Sequence, residues 1–287
     1  MMLCSTVIYF LVLVLFVMGT SVRAGSSILV LSPITTPSHS NFFQPVIKAL
    51  ADKGHEVSYW NGLKPSKGLM ENKSANLNLL YSAELGRINS DHQIGFSDRD
   101  SPYRLLFDIP ERTAVYCTTI YADPIFHQLL KLKNVYDLII IEGTFNECLL
   151  PLVELLDVPF IYMVGIAPPP WLMDAIGSTL AFDHFPHPGS NYVDEMNIWQ
   201  RFYNALSGFV ITNFHRWFVM TVVDRTASKM LNISQNMQSA EEIQSKYLSL
   251  LISNTHFSIN YQLPTSAAEL QAGGLHCGPP NPLPEVI

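Results

Sequence analysis

Nine histidines are spread along the 287 residues, and the one best placed for chemistry is His39. It lies in Ser32-Pro33-Ile34-Thr35-Thr36-Pro37-Ser38-His39-Ser40, a turn-rich stretch directly after the apolar run Ile28-Leu29-Val30-Leu31. Imidazole changes charge near neutral pH, and a carboxylate on one ring nitrogen fixes the tautomer and makes the other nitrogen a better base. Glu142 is the candidate for that carboxylate. It closes a second apolar run, Tyr136-Asp137-Leu138-Ile139-Ile140-Ile141-Glu142, where a charge needs a partner or water. Glu147, on the segment that follows, is the reserve partner.

Positioning these two groups requires parallel strands. Continuous apolar runs such as Ile28 to Leu31 and Leu138 to Ile141 suit strands covered on both faces. Further strands are expected at His55 to Trp60, Asn76 to Tyr81, Val158 to Met163, Ser249 to Ser253 and Glu269 to Leu275. Ser40 or Asn41 is expected to cap a helix bearing Phe42, Phe43, Val46, Ile47 and Leu50, which stops at Gly54. Helical periodicity also covers Tyr103 to Lys133, with breaks expected at Pro110 and Pro124, and it returns at Asn146 to Leu156, Trp199 to Val223 and Glu241 to Tyr247. Strands alternating with helices give the fold class α/β, a doubly wound parallel Rossmann-like sheet. With strand order 3-2-1-4-5 the winding reverses between the first and fourth strands, whose carboxyl ends carry His39 and Glu142.

The formal net charge of −7 and the lack of any basic run exclude a nucleic-acid partner. Residues 1–24 read as a signal peptide, with the apolar run Ile8 to Val17 and the closing Val22-Arg23-Ala24, although no basic residue precedes the run. The chain is therefore expected in the secretory pathway. Asn72 and Asn232 open Asn-X-Ser sequons for N-glycans. Past residue 24 only Cys117, Cys148 and Cys277 remain, an odd and widely spaced set, so Cys117 and Cys148 are expected as buried reduced thiols. Asp183-His184-Phe185-Pro186-His187 lacks the regular presentation and the further ligands of a metal site, and no metal is expected. The aromatic stretch from Trp199 to Val223 is too polar to span a membrane. It reads as a wall of an apolar pocket, as a face resting on a membrane surface, or as a core helix.

The loop Ser32-Pro33 through Pro37-Ser38-His39, followed by Phe42-Phe43-Gln44-Pro45-Val46 and Gly54-His55-Glu56-Val57, resembles the opening of the animal UDP-glycosyltransferases. Asp137 to Glu142, Asn254-Thr255-His256-Phe257-Ser258 and Gly273-Gly274-Leu275-His276 are similar to later landmarks of that family. The resemblance implies the N-terminal domain of a GT-B glycosyltransferase, spanning residues 25–282, with residues 283–287 opening the interdomain linker and the C-terminal donor domain absent. It also implies that His39 deprotonates the hydroxyl of a small lipophilic acceptor, with Glu142 where the family usually has an aspartate. His256 and His276 are landmarks without a chemical role.

Catalysis in such a family is a single inverting transfer of glucose or glucuronic acid from UDP. No cofactor is implied beyond the UDP-sugar co-substrate, which the C-terminal domain mainly binds. The residues expected near the acceptor are Ser38, Phe42, Phe43, Phe145, Trp199 and Phe202. The family's setting is the lumen of the endoplasmic reticulum, membrane-associated and with a detoxifying role; a truncated chain would be secreted. An alternative of another class is a non-catalytic module that binds lipophilic ligands or pairs with full-length relatives, as a homo- or hetero-oligomer.

Overall fold

A computed structural model describes residues 25–70, 75–91, 102–186, 190, 192–193, 195–231, 237–261 and 264–278. The expected signal peptide, the linker residues 283–287 and the sequon residues Asn72 and Asn232 lie outside the described residues. Among the described residues seven parallel strands form one sheet in the order β3-β2-β1-β4-β5-β6-β7. β1 (Ser27–Ser32) is buried along its whole length, as its uninterrupted apolar run requires. Thr36 then caps α1 (Pro37–Asp52), its Oγ1 accepting the His39 N–H at 3.4 Å.

This start corrects the expectation of a cap at Ser40 or Asn41 and of His39 in a loop. Thr36-Pro37 combines an oxygen acceptor with a first helical residue whose φ is already set, so the helix begins earlier and His39 lies in its first turn. α1 ends as foreseen, with Gly54 in the left-handed region at φ 88°. The chain continues through β2 (Glu56–Asn61), α2 (Lys67–Met70), β3 (Leu77–Tyr81) and α3 (Ala83–Asp91) to the long helix α4 (Pro102–Ala122). Pro110 lies inside α4 and does not end it, contrary to expectation. Proline removes one helical hydrogen bond, and packing against neighbouring helices holds the rest of α4 together. Asp123 and Pro124 do enforce the next boundary, opening α5 (Pro124–Leu129).

β4 (Leu138–Glu142) leads through a turn and a 3₁₀ segment, Glu147–Leu149, into α6 (Leu150–Leu156), and β5 (Phe160–Val164) leads to α7 (Pro170–Ala175). α8 (Ile198–Phe214), a π-helical turn at His215–Val219 and α9 (Met220–Met230) form one continuous rod, followed by α10 (Ala240–Tyr247), β6 (Leu248–Ser253) and β7 (Glu269–Gln271). One core face packs Leu29, Leu31, Ile139 and Ile141 against α4, α6 and α9, and the other packs Val30 and Ile140 against Phe42, Phe43 and Ile47 of α1.

Cys117 and Cys148 form a disulfide, which corrects the expectation of reduced thiols. Parity among the cysteines carried no information about distance. α4 runs beside the turn after β4 and brings the two Cα atoms to 5.0 Å. Cys277 is free and exposed.

Candidate functional site

β1 and β4 are neighbours with Leu31 beside Ile141, so the chain leaves both strands at the same edge of the sheet. That edge brings together the two residues singled out by chemistry. His39 Nδ1 lies 3.3 Å from Glu142 Oε1, with the imidazole 13% exposed and the carboxylate fully buried. An ionised carboxylate can only accept, so Nδ1 carries the proton and Nε2 presents its lone pair. Glu142 Oε1 also accepts the Thr144 N–H at 3.1 Å, which pins the carboxylate by its own turn. Glu142 Oε2 has no hydrogen-bond partner among the described residues, so the His39 contact meets an incompletely satisfied buried anion. Burial alone would lower the pKa of His39, but the hydrogen bond and charge of Glu142 outweigh it and hold the imidazole above its ordinary value.

The packing around His39 is close. A Cβ on Gly165, just past β5, would come within 3.1 Å of His39 Cα and 3.2 Å of Cγ, so glycine here lets the first turn of α1 rest closely on the outlet of β5. Beneath that turn, Asn61 Nδ2 donates to the Tyr59 hydroxyl at 2.6 Å and to Ser40 Oγ at 3.3 Å. Tyr59 also lies 3.3 Å from Ser32 Oγ, and burial raises its pKa, so it stays a neutral phenol. Sequence reasoning missed this network, whose members are dispersed over β1, α1 and β2 and meet only once the sheet has formed.

The remaining expected residues fall in different places. Ser38 is exposed beside the pair, with its hydroxyl 3.0 Å from Thr36 Oγ1. Phe42 and Phe43 are buried between α1 and the sheet, where they anchor the helix bearing His39 and offer no surface to a ligand. Phe145 takes a left-handed φ of 62° and packs toward the core, its ring 6.4 Å from that of Tyr116. Trp199 and Phe202 lie on the outer face of α8, 77% and 63% exposed.

Glu147, the reserve partner, turns away from His39. It forms its own pair with His215, Oε1 to Nε2 at 2.9 Å, with both side chains buried. The π turn begins at His215, whose ring stacks on Trp171 at 4.7 Å with nearly parallel planes. Nothing in the sequence signalled this pair, because 68 residues separate its members and an irregular helical turn is needed to join them.

A mostly apolar cavity of about 240 Å³ opens between the loop after β5 and the ends of β6 and β7. Pro168, Met173, Phe182, Phe185 and Tyr261 line it, with Glu269 as its charged member. None of the residues expected near the acceptor lines it. Its usable signals were the Pro168-Pro169-Pro170 run, Phe182, and Phe185 of the segment first weighed for metal binding. Among the described residues no group of three His, Cys, Asp or Glu side chains could hold a metal ion.

α8 is inverted relative to an ordinary amphipathic helix. It buries Asn204, Gly208, Ile211 and Thr212. Asn204 donates to the Phe182 and Phe185 carbonyls at 2.6 and 2.7 Å. Trp199, Phe202, Phe209 and, past its end, Trp217 face outward. No helix among the described residues is long and apolar enough to cross a membrane.

A parallel α/β sheet with a histidine–carboxylate pair at its switch point can take a proton from a hydroxyl held over the strand ends. The family model described as "UDP-glucoronosyl and UDP-glucosyl transferase" matches residues 89–287. The chain therefore belongs to the UDP-glucuronosyl and UDP-glucosyl transferase family. It is 27% identical over 278 residues to UDP-glycosyltransferase UGT4 of Dactylopius coccus, covering 91% of this chain and 51% of that protein. It is 26% identical over 289 residues to UDP-glucosyltransferase 2 of the same organism, covering 96% of this chain and 52% of that protein. The chain thus spans about half the length of the curated relatives it matches. Among solved structures it is similar to Medicago truncatula UGT71G1 complexed with UDP-glucose, with TM-score 0.45 and 9% identity over 92% of this chain and 55% of that one. Phytolacca americana UGT2, complexed with UDP-2fluoro-glucose and pterostilbene, matches with TM-score 0.43 and 10% identity over 88% and 54%.

Proposed function

We propose that this chain is the acceptor-binding half of an inverting UDP-glycosyltransferase in which His39 is the general base. The observation that carries the reading is the His39–Glu142 pair at the carboxyl edge of β1 and β4. The acceptor hydroxyl gives its proton to His39 Nε2 as its oxygen attacks the anomeric carbon of the sugar. The bond from that carbon to the diphosphate breaks, UDP leaves with the electron pair, and Glu142 stabilises the imidazolium. The sugar is glucose or glucuronic acid, and the acceptor is a small lipophilic hydroxyl compound whose apolar body suits the aromatic-lined cavity. The test joins this chain to the C-terminal half of a relative and compares it with His39→Ala. A loss of about a hundredfold or more is expected, and an unchanged rate removes His39 from the mechanism.

The outward aromatic face of α8 supports a second element of the proposal. Contiguous exposed Trp and Phe side chains suit the headgroup level of a bilayer, so this face rests on the membrane of the compartment to which residues 1–24 direct the chain, the endoplasmic reticulum lumen. There Asn72 and Asn232 would carry glycans, and the activity would serve detoxification. Cosedimentation with phosphatidylcholine vesicles that is lost in Trp199→Ser with Phe202→Ser supports this. A mass of twice the monomer without vesicle binding assigns the face to pairing between copies instead.

A further inference from the structure

Two asparagine side chains grip the three residues that join β1 to the cap of α1. Asn89, on α3, accepts the Thr35 N–H at 3.3 Å and donates to the Pro33 carbonyl at 3.0 Å. Asn146, in the turn after β4, accepts the Ile34 N–H at 3.1 Å and donates to the Ile34 carbonyl at 2.8 Å. Ile34, Thr35 and both asparagines are buried, so each of these backbone groups would be left unpaired in the interior without its amide. Asn89 fastens the loop to a helix that takes no part in the pair. Asn146 fastens it to the segment that carries Glu142.

The second connection closes a ring. Asn146 Nδ2 also donates to the Thr144 carbonyl at 2.9 Å, and the Thr144 N–H donates to Glu142 Oε1. On the other side Ile34 leads to Thr36, whose hydroxyl caps the His39 N–H. The His39–Glu142 contact completes the circuit. Phe145, between Thr144 and Asn146, holds a left-handed backbone that side-chain-bearing residues rarely adopt. That conformation folds Asn146 back onto its own turn.

We propose that Asn146 is a positioning residue that locks the first turn of α1 to the end of β4 and so sets the distance between His39 and Glu142. The proposal rests on the reading of His39 as the base for its catalytic consequence, but not for its structural one. Its control is built into the loop, since Asn146→Ala and Asn89→Ala each leave one N–H and one carbonyl of residues 33–35 unpaired.

The experiment follows the Cε1 proton of His39 by NMR through a pH titration of this chain. Glu142 is the charged group that faces this imidazole and raises its pKa. Asn146→Ala is expected to move the His39 titration to lower pH, while Asn89→Ala leaves it in place. In the chain joined to a donor half, Asn146→Ala should lower kcat about ten- to a hundredfold with the KM for the UDP-sugar unchanged. An unmoved His39 titration in Asn146→Ala, or an equal movement in Asn89→Ala, overturns the proposal and leaves Asn146 a fold residue only. Asn146→Ser serves under the same criteria where the alanine variant does not fold. Loss of the base reading would show differently, as full activity in His39→Ala, with the Asn146 effect on the titration intact.

Discussion

Two imidazole–carboxylate pairs are anchored on one short segment, Glu142 to Glu147, and they differ in what surrounds them. His39–Glu142 is longer, at 3.3 Å, and keeps part of its imidazole in solvent at the sheet edge. His215–Glu147 is tighter, at 2.9 Å, buried, and covered by the Trp171 ring. A base must exchange protons with a ligand, so the more deeply buried pair is the poorer candidate for one and is suited instead to tying the α8–α9 rod to the sheet. The contrast shows that residue type and pairing do not define a site. Access does.

The largest expected effect separates the pairs by activity. In the chain joined to a donor half, His39→Ala should lose about a hundredfold or more in kcat. His215→Ala, in the fraction that folds, should retain most of its rate. Stability should run the other way. Glu147→Ala leaves His215 Nε2 buried without its hydrogen-bond partner and should cost about 1–3 kcal/mol in urea unfolding. His39→Ala should cost less, because its site reaches solvent. A rate loss in His215→Ala as great as in His39→Ala would erase the distinction.

A smaller effect is expected from Gly165→Ala. Its methyl group would press on His39 Cα and Cγ, which must give by a few tenths of an ångström; a cost of about 1–3 kcal/mol is expected, and kcat should fall with little change in the KM for the UDP-sugar. The smallest effect is the pH dependence of stability. The folded pKa of His39 is raised, so the pair's contribution is fully present below the ordinary imidazole value of about 6.5 and fades as pH rises through the folded value. Urea midpoints of the wild type and Glu142→Gln should therefore converge toward alkaline pH.

Much of this was legible in the sequence. Strands buried on both faces show as unbroken apolar runs, so β1 and β4 were readable, and with them the winding that brings His39 to Glu142. What escaped depended on three-dimensional adjacency. Thr36-Pro37 competed with Ser40 and Asn41 for the same helix start, and local signals alone did not decide between them. Pro110 suggested a break that the packing of α4 overrides. The Cys117–Cys148 bridge, the Asn146 clamp and the Glu147–His215 pair join residues from 31 to 112 positions apart, and none leaves a periodic trace. The aromatic run of α8 was visible, but its outward orientation is set by Asn204 and Gly208, the small and polar residues that face the protein.

The most direct test of His39 as the base is the pH dependence of kcat/KM for the joined enzyme, measured alongside Glu142→Gln. That substitution removes the charge while preserving an oxygen acceptor for Nδ1. The account predicts a rate that rises with pH through an apparent pKa above about 6.5, as the raised imidazole loses its proton, and a rising limb displaced to lower pH in Glu142→Gln. A limb that stays in place when the charge of Glu142 is removed, or that persists in His39→Ala, would contradict it.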